Sequence, residues 1–103
     1  MGRPRKTGGR PPTGGVLLIQ SRINGRTLVV GSQNIRKRLS DHRRALQRGR
    51  HWNHRLQRDY NWHGSKAFFI TIVDDGLYSM LLIREMKKKL VERLKKLSLA
   101  YNR

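Results

Sequence analysis

Between Arg36 and Arg58 the chain sets nine basic residues against a single acid, Asp41. The nine are Arg36, Lys37, Arg38, Arg43, Arg44, Arg48, Arg50, Arg55 and Arg58, all but one of them arginine. A guanidinium is a planar fork that meets phosphate oxygens two at a time, so this bias points to phosphate contact. Charge runs commonly form only a solvated face, and some of these residues do no more than that. A field of one sign this dense is nevertheless one that a freely soluble protein has little reason to keep. Trp52, Tyr60 and Trp62 are interleaved with it. Such rings can stack on bases, although in a domain this short of large apolar residues the first expectation for them is core.

A second basic cluster lies in residues 1–15, MGRPRKTGGRPPTGG, which hold all three prolines, five of the ten glycines and no acid. Its cations are Arg3, Arg5, Lys6 and Arg10. The segment buries too little apolar surface to offset its ordering entropy, so alone it is expected to be a disordered tail. Gly2-Arg3-Pro4-Arg5-Lys6 resembles the core of an AT-hook, with Met1 where that motif leads with arginine. An extended Gly-Arg-Pro segment is slim enough for the minor groove, where arginine meets the negative potential of A·T-rich DNA. The plainer reading is a tail that touches phosphates without preference.

Over the whole chain, 24 basic residues face six acids in 103 positions, a formal charge of +18. That length fits one small domain. The charge opposes compaction unless a polyanion sits beside it. Nucleic acid is the leading partner; an anionic membrane surface ranks behind it, because the final helix lacks a sustained apolar face bearing tryptophan or phenylalanine. No run of 18 apolar residues is present, which excludes a transmembrane helix. The absence of an apolar leader predicts an intracellular, unsecreted protein, with the compartment left open. Without cysteine there is no disulfide, thiol nucleophile or cysteine-based zinc finger.

Apolar periodicity begins at Val16 and predicts a domain over residues 16–103. Val16 to Ile19, the Asn24-Gly25 turn signal and the β-branched return from Thr27 to Val30 read as a β-hairpin. Ser32 or Asn34 offers an N-cap for a helix with Ile35, Leu39, His42 and Leu46 on one face and Gly49 at its end. A second helix covers Asn53 to Trp62, with Leu56, Tyr60 and Trp52 facing inward and His63-Gly64 closing it. Ala67 to Val73 is a strand, and Asp74-Asp75-Gly76 a turn. From Leu77 to Leu97 the pattern is helical, with Ile83, Met86 or Leu90, Leu94 and Leu97 on the buried face. The expected fold is α+β, a small three-stranded antiparallel sheet flanked by helices in the order β-β-α-α-β-α. A helix-turn-helix over residues 34–62 is the alternative, and the flanking hairpin and strand argue against it.

These elements resemble the GIY-YIG nuclease domain, most closely its homing-endonuclease branch. The likeness runs over about residues 15–102. It is carried by Gly15-Val16-Leu17, Gly31-Ser32, Asn34 to Arg38 with His42 beyond, Arg48 to His51, Leu56-Gln57 and Asn61 to Gly64. Ala67 to Ile70, Leu82 to Glu85 and Ala100-Tyr101-Asn102 continue it. The resemblance implies cleavage of a phosphodiester with a divalent cation such as Mg²⁺. Glu85 would hold the metal, Arg38 would contact the scissile phosphate, His42 and His51 would sit near the active face, and Asn102 would complete the site. The residue types suit that chemistry, since a hard cation takes carboxylate oxygen and charge developing on phosphorus takes a guanidinium. Read plainly, Arg38 is one more phosphate anchor and Glu85 a helix residue pairing with Lys88 or Lys89.

Both signature tyrosines of that family are replaced. The first aligns with Leu17; the second aligns with Val29 if Gly31 is the signature glycine, or with Leu28 if the hairpin is read without gaps. Neither side chain can transfer a proton, and such a loss typically costs ~10²–10⁴ in rate, unless His42, His51 or Tyr78 substitutes. The sequence therefore predicts a nucleic-acid-binding protein on a nuclease-like scaffold, DNA or structured RNA being the ligand and a ribonucleoprotein such as a ribosome one setting. An active metal-dependent endonuclease of homing or phage type is the alternative.

Overall fold

A computed structural model describes residues 13–77 and 79–102. The elements follow the expected order. Strand β1, Gly14–Ser21, and strand β2, Thr27–Ser32, form an antiparallel hairpin. Helices α1, Ile35–Gln47, and α2, His54–His63, come next. A 3₁₀ turn, Ser65–Ala67, leads into strand β3, Phe68–Leu77, and helix α3, Met80–Lys96, follows. The sheet order is β2-β1-β3 with every pairing antiparallel.

The central strand explains the apolar run Val16-Leu17-Leu18-Ile19, because it is covered on both sides. Leu17 and Ile19, with Leu28 and Val30 from β2, pack against Ile35 and Leu46 of α1, Leu56 of α2, and Tyr101. Val16 and Val29 point the other way and meet Ile83 of α3, with Met86, Leu90 and Leu94 around them. Two helices thus cover one face of the sheet and one helix the other. Both caps on the first two helices are local. The Asn34 side chain accepts from Lys37 N, and that of Asn53 accepts from Leu56 N at 3.1 Å, each satisfying an otherwise free helical N–H. Gly49 and Gly64 end these helices at positive φ, where a Cβ is disfavoured.

Several expectations are corrected. The first strand begins at Gly14, two residues earlier than the apolar pattern indicates. Asn24-Gly25 does not form a two-residue turn: Ser21 and Arg26 are hydrogen-bonded across a four-residue loop, with Gly25 at φ +73° as its last residue. Asp74-Asp75-Gly76 is not a turn either. β3 runs on through it to Leu77, with a bulge opposite Gly14–Val16 where Val16 pairs with Asp74. Helix α3 consequently starts at Met80, not Leu77. Leu97 falls beyond its end and is exposed.

The chain end closes the open edge of β2. Thr27 donates to the Leu99 carbonyl at 2.7 Å and Tyr101 N donates to the Thr27 carbonyl at 2.8 Å, forming a parallel bridge at Ala100. One residue on, the Asn102 amide copies a strand: its Oδ1 accepts from Val29 N at 2.8 Å and its Nδ2 donates to Val29 O at 3.0 Å. An edge that would otherwise offer free N–H and C=O groups is covered. Residues 1–12, with Arg3, Arg5, Lys6 and Arg10 and the AT-hook-like stretch, lie outside the described residues, as does Tyr78.

Candidate nucleic-acid interface

His42 and His51, nine residues apart, meet where the loop after α1 folds back. His42 Nδ1 lies 2.7 Å from His51 Nε2, and both rings are buried. The bonding pattern assigns the protons. Asn53 N donates to His51 Nδ1 at 3.0 Å, so His51 carries its proton on Nε2 and donates it to His42. His42 is left with its own proton on Nε2. The backbone N–H of His51 is fixed in turn by Gln57 Oε1 at 2.9 Å. Burial pushes both imidazoles below the ordinary range. For His42 the neighbouring Arg38 charge adds to the effect. For His51 the second cause is His42 itself, and the result is about 4. The pair is therefore neutral at physiological pH.

Trp52 caps this pair. Its ring stacks on His51 at 5.3 Å and 28° and meets His42 edge-on at 6.5 Å. It was expected to face inward, yet it is 65% exposed, and Trp62 is 83% exposed. Both are corrected from core to surface. The reason is the cap at Asn53: its side chain turns inward to the Tyr101 carbonyl at 3.0 Å, which leaves Trp52 on the outside of the loop.

A groove of about 1000 Å³ opens beside Trp52, between the start of α2 and α3. Arg55, Arg84, Lys87, Lys88 and Lys95 line it together with His54 and Asn102, and Glu92 is its one acid. Of the described residues predicted to bind phosphate, only Arg55 lies in this groove. Arg50 and Arg58 line an adjoining recess of about 600 Å³ that shares Trp52 and His54 with it. Arg43 borders a third recess among Tyr60, Phe68 and Phe69, away from both. Arg36 is paired with Asp75 at 3.2 Å and Lys37 with Asp41 at 3.5 Å, both on the surface, where such pairs hold weakly. Arg38, Arg44 and Arg48 stay exposed on or just after α1.

The α3 cations were missed as binding residues. The signal was present, because Arg84, Lys87, Lys88 and Lys95 recur at helical spacing on one face. Which face turns toward the groove depends on Ile83, whose burial against the sheet sets the rotation of the helix. Glu85 lies next to Arg84 on α3 and is exposed. Among the described residues no three His, Asp or Glu side chains gather as a metal cluster. A lone carboxylate suits a hard divalent ion as one ligand among water and substrate phosphate oxygens. Asn102 lines the groove, but both polar atoms of its amide are taken up by Val29.

No protein-family model and no curated protein sequence matches the chain. Solved structures do. The catalytic domain of the homing endonuclease I-TevI superposes with a TM-score of 0.74 at 26% identity, over 85% of this chain and 95% of that one. A glutamate-to-alanine mutant of the catalytic domain of the intron endonuclease I-TevI gives 0.73 at 28%, over 87% and 92%. Sheet order, helix placement and coverage agree, and the chain is a nuclease-like domain with the α+β, GIY-YIG-like fold of these neighbours.

Proposed function

We propose that this protein binds nucleic acid through the groove between α2 and α3, on a GIY-YIG-like scaffold that has lost phosphodiester cleavage. The observation that carries the binding is the groove's charge, five cations against one acid beside the Trp52 ring that covers the buried histidine pair. Loss of cleavage is supported by Leu17, Leu28 and Val29, which stand where the signature tyrosines align and are sealed in the two cores. The described tyrosines offer no substitute. Tyr101 donates its hydroxyl to Asp59 at 2.7 Å, and burial followed by that bond pushes its pKa far up. Tyr60 packs on the Phe68 ring at 5.5 Å.

The alternative, a metal-dependent endonuclease, is favoured by one feature: a buried, neutral histidine pair held by three hydrogen bonds beside an arginine. In that reading Glu85 would hold a divalent ion, which when bound would polarise a phosphoryl oxygen. Incubating the full chain with supercoiled DNA and Mg²⁺ or Mn²⁺ separates the two. The expected result is tight binding without nicking. Nicking that disappears in Glu85→Ala would establish the enzyme and overturn the binding-only reading. Competition between duplex DNA and structured RNA at one salt concentration identifies the partner and bears on a ribonucleoprotein setting. Among the described residues no helix is long and apolar enough to cross a membrane.

A further inference from the structure

The recess adjoining the main groove has a composition that phosphate binding does not explain. Arg50 and Arg58 supply charge to it, His54 adds a ring nitrogen for hydrogen bonding, and none of the described acids lines it. Asp59, the one acid within α2, accepts from the Tyr101 hydroxyl at 2.7 Å and reaches Arg58 Nε only at 3.9 Å, a loose pair that leaves most of the Arg58 fork exposed. Trp52 and Trp62 stand at opposite ends of α2, both among the most exposed large side chains described, and both line this same recess. Exposed tryptophans are costly in water, and the backbone of a duplex gives them nothing to cover. A base face does, because every base presents an apolar π-surface of similar size.

Trp52 is also held in place. One face of the ring rests on His51, whose own position is fixed by His42, Asn53 and Gln57. The other face is open. A stacking partner would therefore meet a ring that loses little freedom on binding. On the same wall, Gln57 Nε2 donates to Asn61 Oδ1 at 2.9 Å and to the Leu46 carbonyl at 3.1 Å, which fixes the floor of the recess. Helix α2 rises ~12 Å from His54 to Trp62, and Trp52 lies just before its start, so the two rings are spaced for different nucleotides of one strand.

We propose that Trp52 and Trp62 are a stacking platform for an unpaired nucleic-acid strand, with Arg50, His54 and Arg58 receiving its phosphates. The platform would hold unstacked bases while the groove along α3 holds the paired backbone nearby. This inference rests on the nucleic-acid reading above and specifies the form of ligand one part of the surface takes.

The test is direct, since these are the only two tryptophans in the chain. Oligo-dT and oligo-rU of about eight nucleotides, and a duplex of equal charge, are titrated against the intact protein at fixed salt while tryptophan fluorescence is followed. Expected are strong quenching by both single strands, weak quenching by the duplex, and a loss of about ten-fold in single-strand affinity in Trp52→Ala and in Trp62→Ala. In Trp62→Ala, whose side chain lines the recess and not the main groove, duplex affinity should stay within two-fold of the parent. Trp52→Phe, which keeps a ring on His51, should recover most of the single-strand affinity, and its thermal midpoint checks that the loop is intact. Quenching by neither strand, or equal losses for duplex and single strand in Trp62→Ala, would overturn the platform. Failure to bind any of the three ligands would instead remove the nucleic-acid reading itself.

Discussion

His42 and His51 share one proton between their facing nitrogens, and a second proton has no place in that contact. An unfolded imidazole titrates near 6.5, whereas folded His51 titrates at about 4. Above pH 6.5 neither state takes up the proton and the pair contributes in full. Below 6.5 the unfolded chain is protonated first, so stability falls progressively until about pH 4. For His51 alone the loss is on the order of 3 kcal/mol. Six acids in the whole chain give little carboxylate background to this effect. Thermal midpoints measured from pH 7 down to 4.5 should therefore drop, and the drop should flatten in His51→Asn even though that variant starts lower. An unchanged midpoint in the parent across the window would contradict the buried, neutral pair. At the same scale, the roles assigned by resemblance divide. Arg38 stays free for a phosphate, while the Asn102 amide is spent on Val29 and reaches the groove only as part of its wall.

Among the elements, α3 matters most to the site, since it brings four of the groove's five cations. Its placement depends on a glycine. A Cβ on Gly31 would lie 2.6 Å from Ile83 Cγ2, so α3 approaches β2 at a distance only glycine permits. Gly31→Ala should force Ile83 to shift, at a cost of about 1–3 kcal/mol in urea denaturation. In an Ile83→Ala background the same substitution should cost distinctly less, because the clashing atom is gone. Equal costs in the two backgrounds would mean that another contact sets the helix. Gly15 is restricted differently, since a side chain there would run into the Asp74 carbonyl at the bulge. That close approach lets β3 continue through Asp74 and Asp75, places Asp75 beside Arg36, and delays the start of α3.

At the scale of the whole molecule, the formal charge of +18 is distributed unevenly. Five cations line the groove between α2 and α3, whereas Arg36 and Lys37 are paired and Arg43 faces elsewhere. If those five each meet a phosphate, the logarithm of duplex affinity should fall against the logarithm of salt with a slope of about −4 to −5. Replacing Lys87 and Lys88 together by alanine should reduce that slope by about 2. Filter-binding or anisotropy titrations across salt concentrations read both quantities. An unaltered slope in the double variant would place the binding surface away from α3.

The element order, a cap at Asn34 or Ser32 and the helix-ending glycines were readable along the chain, because each rests on neighbours within about four residues. Val16 to Ile19 announced a buried strand, and the excess of arginine announced a strongly basic surface. What the linear pattern could not contain was facing. Asp74-Asp75-Gly76 has the composition of a turn, yet pairing with β1 nearly sixty residues earlier holds it in the sheet. Trp52 has the hydropathy of core, yet the inward turn of Asn53 toward Tyr101, 48 residues away, leaves it outside. The lysine-rich stripe on α3 was visible as a stripe, but only the seat of Ile83 under Gly31 turns it toward the groove. Composition and local propensity thus determined a basic α+β domain. Long-range packing decided which cations converge and which aromatic rings remain free, because those depend on contacts between residues far apart in sequence.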